Sequence, residues 1–167
     1  MMRARRGFTL VELLIVIVII GILAAAMLLS GGSATAAAEA SNIISDLRSM
    51  KTAAVLFYAQ NLNDNNGEPA PGTVDVSMLA PYADNPAKFG NPPVDGDPYS
   101  FAITVVNGEN KWWVGYNMTA GIGGGSRRSV VAERMIGKAN SIGLYKDNTD
   151  YLIFDDKTSD YVWMIAR

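Results

Sequence analysis

The sequence predicts an α+β fold: a long N-terminal α-helix, half membrane-spanning and half amphipathic, packed on an antiparallel sheet of about four strands. Three observations carry this. Phe8 to Leu29 is almost wholly apolar, apolar residues from Ser33 to about Leu62 recur every three or four positions, and residues 99–167 hold short β-prone segments parted by Asn, Gly and Asp.

With 167 residues the chain has room for one ordinary domain and a membrane segment. Lys and Arg total 14 and Asp and Glu 16, a near balance that lacks the basic excess of a protein held by phosphates, so no specific nucleic-acid partner is inferred. Arg3, Arg5 and Arg6 lie in the first seven residues. Removing that piece takes the basic count from 14 to 11 against 16 acids, a net charge of −5. There is no cysteine and no histidine, which excludes a thiol nucleophile, a disulfide, an imidazole base and the usual zinc sets. The composition therefore points away from an enzyme.

Phe8 to Leu29 reads FTLVELLIVIVIIGILAAAMLL, in which only Thr9 and Glu12 are polar. About 22 residues at roughly 1.5 Å each span a bilayer core. The basic leader MMRARRG ahead of it favours a cytoplasmic N-terminus and an outward-facing remainder. A secretory signal cut near Ala34-Thr35-Ala36 is the alternative. It is disfavoured because the run exceeds the roughly 7–15 residues of an h-region and carries an acid near its start.

Glu12 is the informative residue, since a lone carboxylate one turn into an apolar helix is costly unless it meets a cation or water. Cutting after Gly7 would create a cationic α-amine on Phe8, with an ordinary pKa of about 8. Helical rise puts that amine about 6 Å from Glu12 along the axis, awkward within one subunit but reachable between neighbours staggered by about one turn. Such a pair would set register more than add net stability, because desolvation offsets the attraction.

Gly7-Phe8-Thr9-Leu10-Val11-Glu12, after a short basic leader and before LLIVIVIIGILAAA, resembles the class III signal of type IV pilins and type II secretion pseudopilins. The resemblance is strong over residues 1 to about 60 and architectural beyond. It implies the pilin fold, cutting after Gly7 by a prepilin peptidase, N-methylation of Phe8, and subunit registration by Phe8 and Glu12. It further implies a homo-oligomeric helical filament built by an inner-membrane assembly platform and ATPases. One departure stands out: many family members have proline where this chain has Leu29. Gly21 inside the helix and Gly31-Gly32 after it are instead the expected places for helix flexibility, each interior glycine costing about 1 kcal/mol relative to alanine. Close helix packing at Gly21 is the competing explanation.

Domain boundaries follow: 1–7 a cleaved leader, 8–32 the membrane or filament-core helix, and 33–167 the head. In the head, Ile43, Ile44, Leu47, Met50, Ala54, Phe57 and Tyr58 form the core stripe of a helix over 33–62. Residues 63–98, rich in Asn, Asp, Gly and Pro, read as a structured loop with at most one short helix near Val76 to Tyr82. YSFAITVV and KWWVGYNM flank a turn at Asn107-Gly108-Glu109-Asn110, and YLIFDD with DYVWMIAR forms a second strand pair. A short helix, Arg127 to Ala139, lies between the pairs. Trp112 and Trp113 must face opposite sides of their strand, so at most one joins the core and the other lies at a subunit contact or under a loop.

Two further features have no assigned ligand. Gly121 to Ser126 lacks the lysine and spacing of a phosphate loop, and Arg127-Arg128 reads as solvated surface. The acidic clusters at Asp64–Glu68, Asp95–Asp97 and Asp155-Asp156 suit calcium but match no EF-hand, so calcium stays possible and unassigned, and no cofactor is expected. The leading expectation is a structural filament subunit serving adhesion, twitching motility or DNA uptake. The alternatives are a major pseudopilin of type II secretion and a membrane-anchored periplasmic or surface protein that does not polymerise.

Overall fold

The structure is a computed structural model that describes residues 7–63, 67–89, 97–123 and 125–167, with no side-chain detail for residues 29–33 and 63. Two compact units are distinguished, Met1–Thr35 and Ala36–Arg167. Helix α1, Leu10–Asn63, is continuous in secondary structure through both.

In the head unit, α1 contributes Ala36, Ala40, Ile43, Ile44, Leu47, Met50, Ala53 and Ala54 to the buried core. Their spacing of three and four is the stripe that burial of one helix face requires. Two 3₁₀ helices follow, Val76–Tyr82 and Pro86–Phe89. The first is capped by Asp75, which accepts from the backbone N–H of Ser77 at 2.8 Å, and it buries Leu79 and Ala80 completely.

The strands are β1 (Tyr99–Val106), β2 (Glu109–Asn117), β3 (Leu144–Tyr145) and β4 (Tyr161–Ile165), in the spatial order β1-β2-β4-β3 and antiparallel throughout. The α+β architecture with a four-stranded antiparallel sheet is therefore as the sequence predicts. The hairpin turn is tighter than expected. Asn107 and Gly108 alone form it, both with positive φ (53° and 82°), as a two-residue turn matched to strand twist demands, and Glu109 and Asn110 already belong to β2.

The second strand pair differs from expectation. β4 pairs with Leu144–Tyr145, and the segment from Tyr151 makes only a single bridge, Tyr145 with Ile153. Leu144 is fully buried and takes the place beside Met164, while Phe154 anchors the returning chain in the core. The acids after Phe154 turn outward: Asp156 caps a turn by accepting from the Thr158 backbone N–H at 2.8 Å. Between β2 and β3 lie α2 (Met118–Ile122), not anticipated, and α3 (Ser126–Ile142), longer at both ends than the Arg127–Ala139 of the sequence reading. Asn117 caps α2 from Thr119 and Ala120, and Gly143, in the left-handed region, closes α3.

Trp112 and Trp113 are both completely buried, on opposite faces. Trp112 packs against Phe57, Tyr58 and Phe101 in the main core, and its indole N–H donates to Glu68 Oε1 at 2.7 Å. Trp113 lies in a second cluster with Val106 and Trp163, covered by Tyr145 and by Tyr151 from the β3–β4 connection. Loop cover, one of the two expected outcomes, is the one realised. Gly115 serves the same outer face: the ring of Trp163 lies across it, and a Cβ there would come within 2.5 Å of the Trp163 Cζ3 atom.

Charged groups tie these layers. Asp46 on α1 accepts from the Tyr99 hydroxyl at 2.6 Å and pairs with Lys88 at 2.7 Å. Arg127 is not merely solvated: it pairs with Glu39 at 3.0 Å, joining α3 to α1. Arg128 is largely covered, donating to Thr119 Oγ1 at 2.8 Å and to the Thr158 carbonyl and pairing with Asp160 at 3.1 Å.

Burial first, then the hydrogen bond to Asp46, holds the Tyr99 phenol far above its ordinary value of 10.0. Burial first, then the charges of Glu39 and Asp46, also raises Tyr116. A raised folded value means stability that is complete below pH 10 and is lost as pH rises past it, because the unfolded chain ionises while the folded one does not. In a phenolate absorbance titration, these two of the seven tyrosines are expected to stay neutral above pH 10 until the head unfolds. Seven tyrosines titrating together near pH 10 with the head still folded would contradict this.

Candidate functional site

The candidate site is the start of α1. Gly7, Phe8 and Thr9 are outside the helix, and Phe8 is 87% exposed. A side chain at Gly7 would meet nothing within 4 Å. The first helical bond runs from the Leu13 N–H to the Thr9 carbonyl at 3.2 Å, which makes Thr9 the N-cap.

Thr9 and Glu12 satisfy each other. Glu12 Oε2 accepts from the Thr9 backbone N–H at 2.8 Å and from the Thr9 hydroxyl at 2.7 Å, and the Glu12 backbone N–H donates to Thr9 Oγ1 at 3.3 Å. This is a reciprocal capping box, in which side chains three residues apart satisfy two of the donors that every helix start leaves open. The acid also sits in the first turn, where the helix dipole favours negative charge. Glu12 is thus less isolated than its apolar sequence suggests. Because Phe8 lies outside the helix, its separation from Glu12 is not set by helical rise. Thr9 is the residue that sequence reasoning missed, and the signal was present: a threonine, two residues, then a glutamate at the edge of an apolar run.

Behind the cap, Leu10–Leu28 is one helix long and apolar enough to cross a membrane. Nineteen residues give about 28 Å, close to a hydrocarbon core. Its side chains are exposed all round, Leu13 by 60%, Val18 by 51% and Leu23 by 58%. A helix apolar on every face needs lipid or other helices around it. At Gly21 a Cβ would meet nothing within 4 Å, so packing inside this unit does not demand glycine there. The surroundings of Gly31 and Gly32 lie outside the described side chains, although the backbone is helical through both. Ala36, the alternative cutting position, is helical and buried in the head core, a poor setting for proteolysis.

Among the described residues, no group of three or more Asp or Glu side chains is gathered as a metal site. Asp64, Asn65, Asn66, Asp95 and Gly96 lie outside them. Asp155 and Asp156 are engaged separately, Asp155 with Lys146 at 3.6 Å and Asp156 with Thr158.

Comparison with known proteins agrees with the geometry of this terminus. The family model described as the prokaryotic N-terminal methylation motif matches residues 2–28. No curated protein and no solved structure matches the chain. The match spans the leader, the Gly7–Phe8 junction, the capping box and the apolar helix, and it implies processing by a prepilin peptidase and membrane anchoring through that helix. The N-terminal segment carries a class III prepilin signal of the kind found in type IV pilin-like proteins, and the long helix with its four-stranded antiparallel sheet is consistent with the α+β pilin fold.

Proposed function

We propose that the protein is a structural subunit of a type IV pilus-like filament. In this reading it is made as an inner-membrane precursor, N-terminus cytoplasmic and head outward, then cut between Gly7 and Phe8 and methylated on the new amine. An assembly platform and its ATPases draw it into a homo-oligomeric fibre, where Glu12 of one subunit meets the Phe8 amine of a neighbour. No residue performs chemistry on a substrate; the work is assembly, in the service of adhesion, motility or DNA uptake.

The observation that carries this reading is the junction itself. Gly7–Phe8 is exposed and outside the helix, next to the N-cap of an apolar stretch, Leu10–Leu28, whose sole acid, Glu12, is held at the end where the cut creates a cation. Gly21 and the Gly31-Gly32 pair would let that helix bend or locally melt as it leaves the bilayer. Mass spectrometry of sheared surface material tests the reading. The expected result is a chain beginning at N-methylated Phe8 in micrometre-long filaments. The same terminus confined to short periplasmic fibres would identify a type II secretion pseudopilin instead, and intact Met1 or a cut after Ala36 would sink both.

A further inference from the structure

We infer that Thr9 is the positioning residue for Glu12, fixing both where the helix begins and how the carboxylate is presented to a neighbouring subunit. One arm of the test rests on the filament reading above; the other does not. Both Thr9 donors converge on the same oxygen, Glu12 Oε2, at 2.8 and 2.7 Å. A carboxylate has two oxygens and about four acceptor sites, so Oε1 remains able to accept an ammonium while Oε2 is held. The threonine thereby removes, before assembly, the rotamer freedom that an unanchored glutamate would lose on pairing.

The cap also ends the helix at a defined place. The Glu12 N–H is bound by Thr9 Oγ1 at 3.3 Å and the Leu13 N–H by the Thr9 carbonyl at 3.2 Å, so helical order starts at Leu10 and residues 7 and 8 lie outside it. The amine formed on Phe8 therefore lies outside the helix, next to its N-cap. Registration is on this view a three-residue device: Phe8 supplies the cation, Glu12 the anion, and Thr9 the geometry.

The experiment compares the full chain with Thr9→Val, Thr9→Ser and Glu12→Gln in a host that assembles the parent, reading amide exchange in lipid nanodiscs and the yield of sheared filaments. Valine keeps the shape of threonine without its donor. Thr9→Val is expected to be processed and to accumulate like the parent, to lose amide protection at Glu12, whose N–H no longer has the Thr9 Oγ1 acceptor, at least tenfold, and to give at least tenfold fewer filaments. Thr9→Ser should restore both. Glu12→Gln, which can still accept from the Thr9 N–H, should keep most of the protection yet lose filaments. Parental protection in Thr9→Val overturns the cap, and a parental filament yield in that variant overturns the positioning role. A parental yield in Glu12→Gln would instead overturn registration by charge, with the exchange arm still deciding the cap.

Discussion

Gly7→Val is expected to leave the subunit entirely as uncut precursor and to abolish filaments. The argument rests on what the position does not do for folding. Gly7 is outside the helix, and a Cβ placed on it meets nothing within 4 Å, so valine imposes no packing cost within the chain. Its effect must then fall on the peptidase step, which resemblance to the family places directly after this glycine. Two consequences follow from a failed cut. Arg3, Arg5 and Arg6 stay attached to the helix, and each arginine costs about 2.5–3.5 kcal/mol or more to bring into the hydrocarbon, which opposes upward extraction of the subunit. The Phe8 nitrogen also remains an amide, so no cation forms for Glu12. Intact-mass measurement of the membrane fraction with electron microscopy of sheared material checks both. A chain beginning at Phe8, or fibres built from uncut precursor, would refute the expectation.

Trp112→Ala is expected to destabilise the head by about 3–5 kcal/mol, the range for deleting a fully buried large aromatic. Trp112 is completely buried, touches Phe57, Tyr58 and Phe101, and bonds to Glu68. Glu68 in turn holds Arg167 at 2.8 Å, and the Arg167 guanidinium lies 3.7 Å above the Tyr58 ring. One substitution therefore opens a cavity and loosens the link between the end of α1, β2 and the C-terminus. For a head of this size the loss corresponds to roughly 10–20 °C in Tm. Near-UV circular dichroism of the detergent-solubilised chain measures it, with Leu56→Ala as the control. Leu56 is 49% exposed, and its truncation should cost far less. A drop of under about 3 °C in Trp112→Ala would contradict this account.

Much of the head was legible in local chemistry. The stripe Ile43, Ile44, Leu47 and Met50 has the helical period, and Asn107-Gly108 encodes a two-residue turn through residues that tolerate positive φ. Pairing was less legible. Tyr151–Phe154 is as β-prone as Leu144–Tyr145, and only the competition for the free edge of β4 decides between them. Propensity cannot see that competition, because it depends on which segment can bury Leu144 and Phe154 together. The partners of Arg127 and Arg128 were hidden for the same reason: Glu39 is 88 residues from Arg127 along the chain.

At the N-terminus the balance reverses. The order glycine, phenylalanine, threonine, two apolar residues, glutamate and an apolar run is a local code that needs no contact with the head, so the sequence alone determined the anchor and the prepilin signal. What only tertiary structure decided was the destination of side chains that touch residues far away: Trp112 into the core, Trp113 beneath Tyr145 and Tyr151, and β4 between β2 and β3. Burial is a property of the whole packed chain, and no short window of sequence contains it.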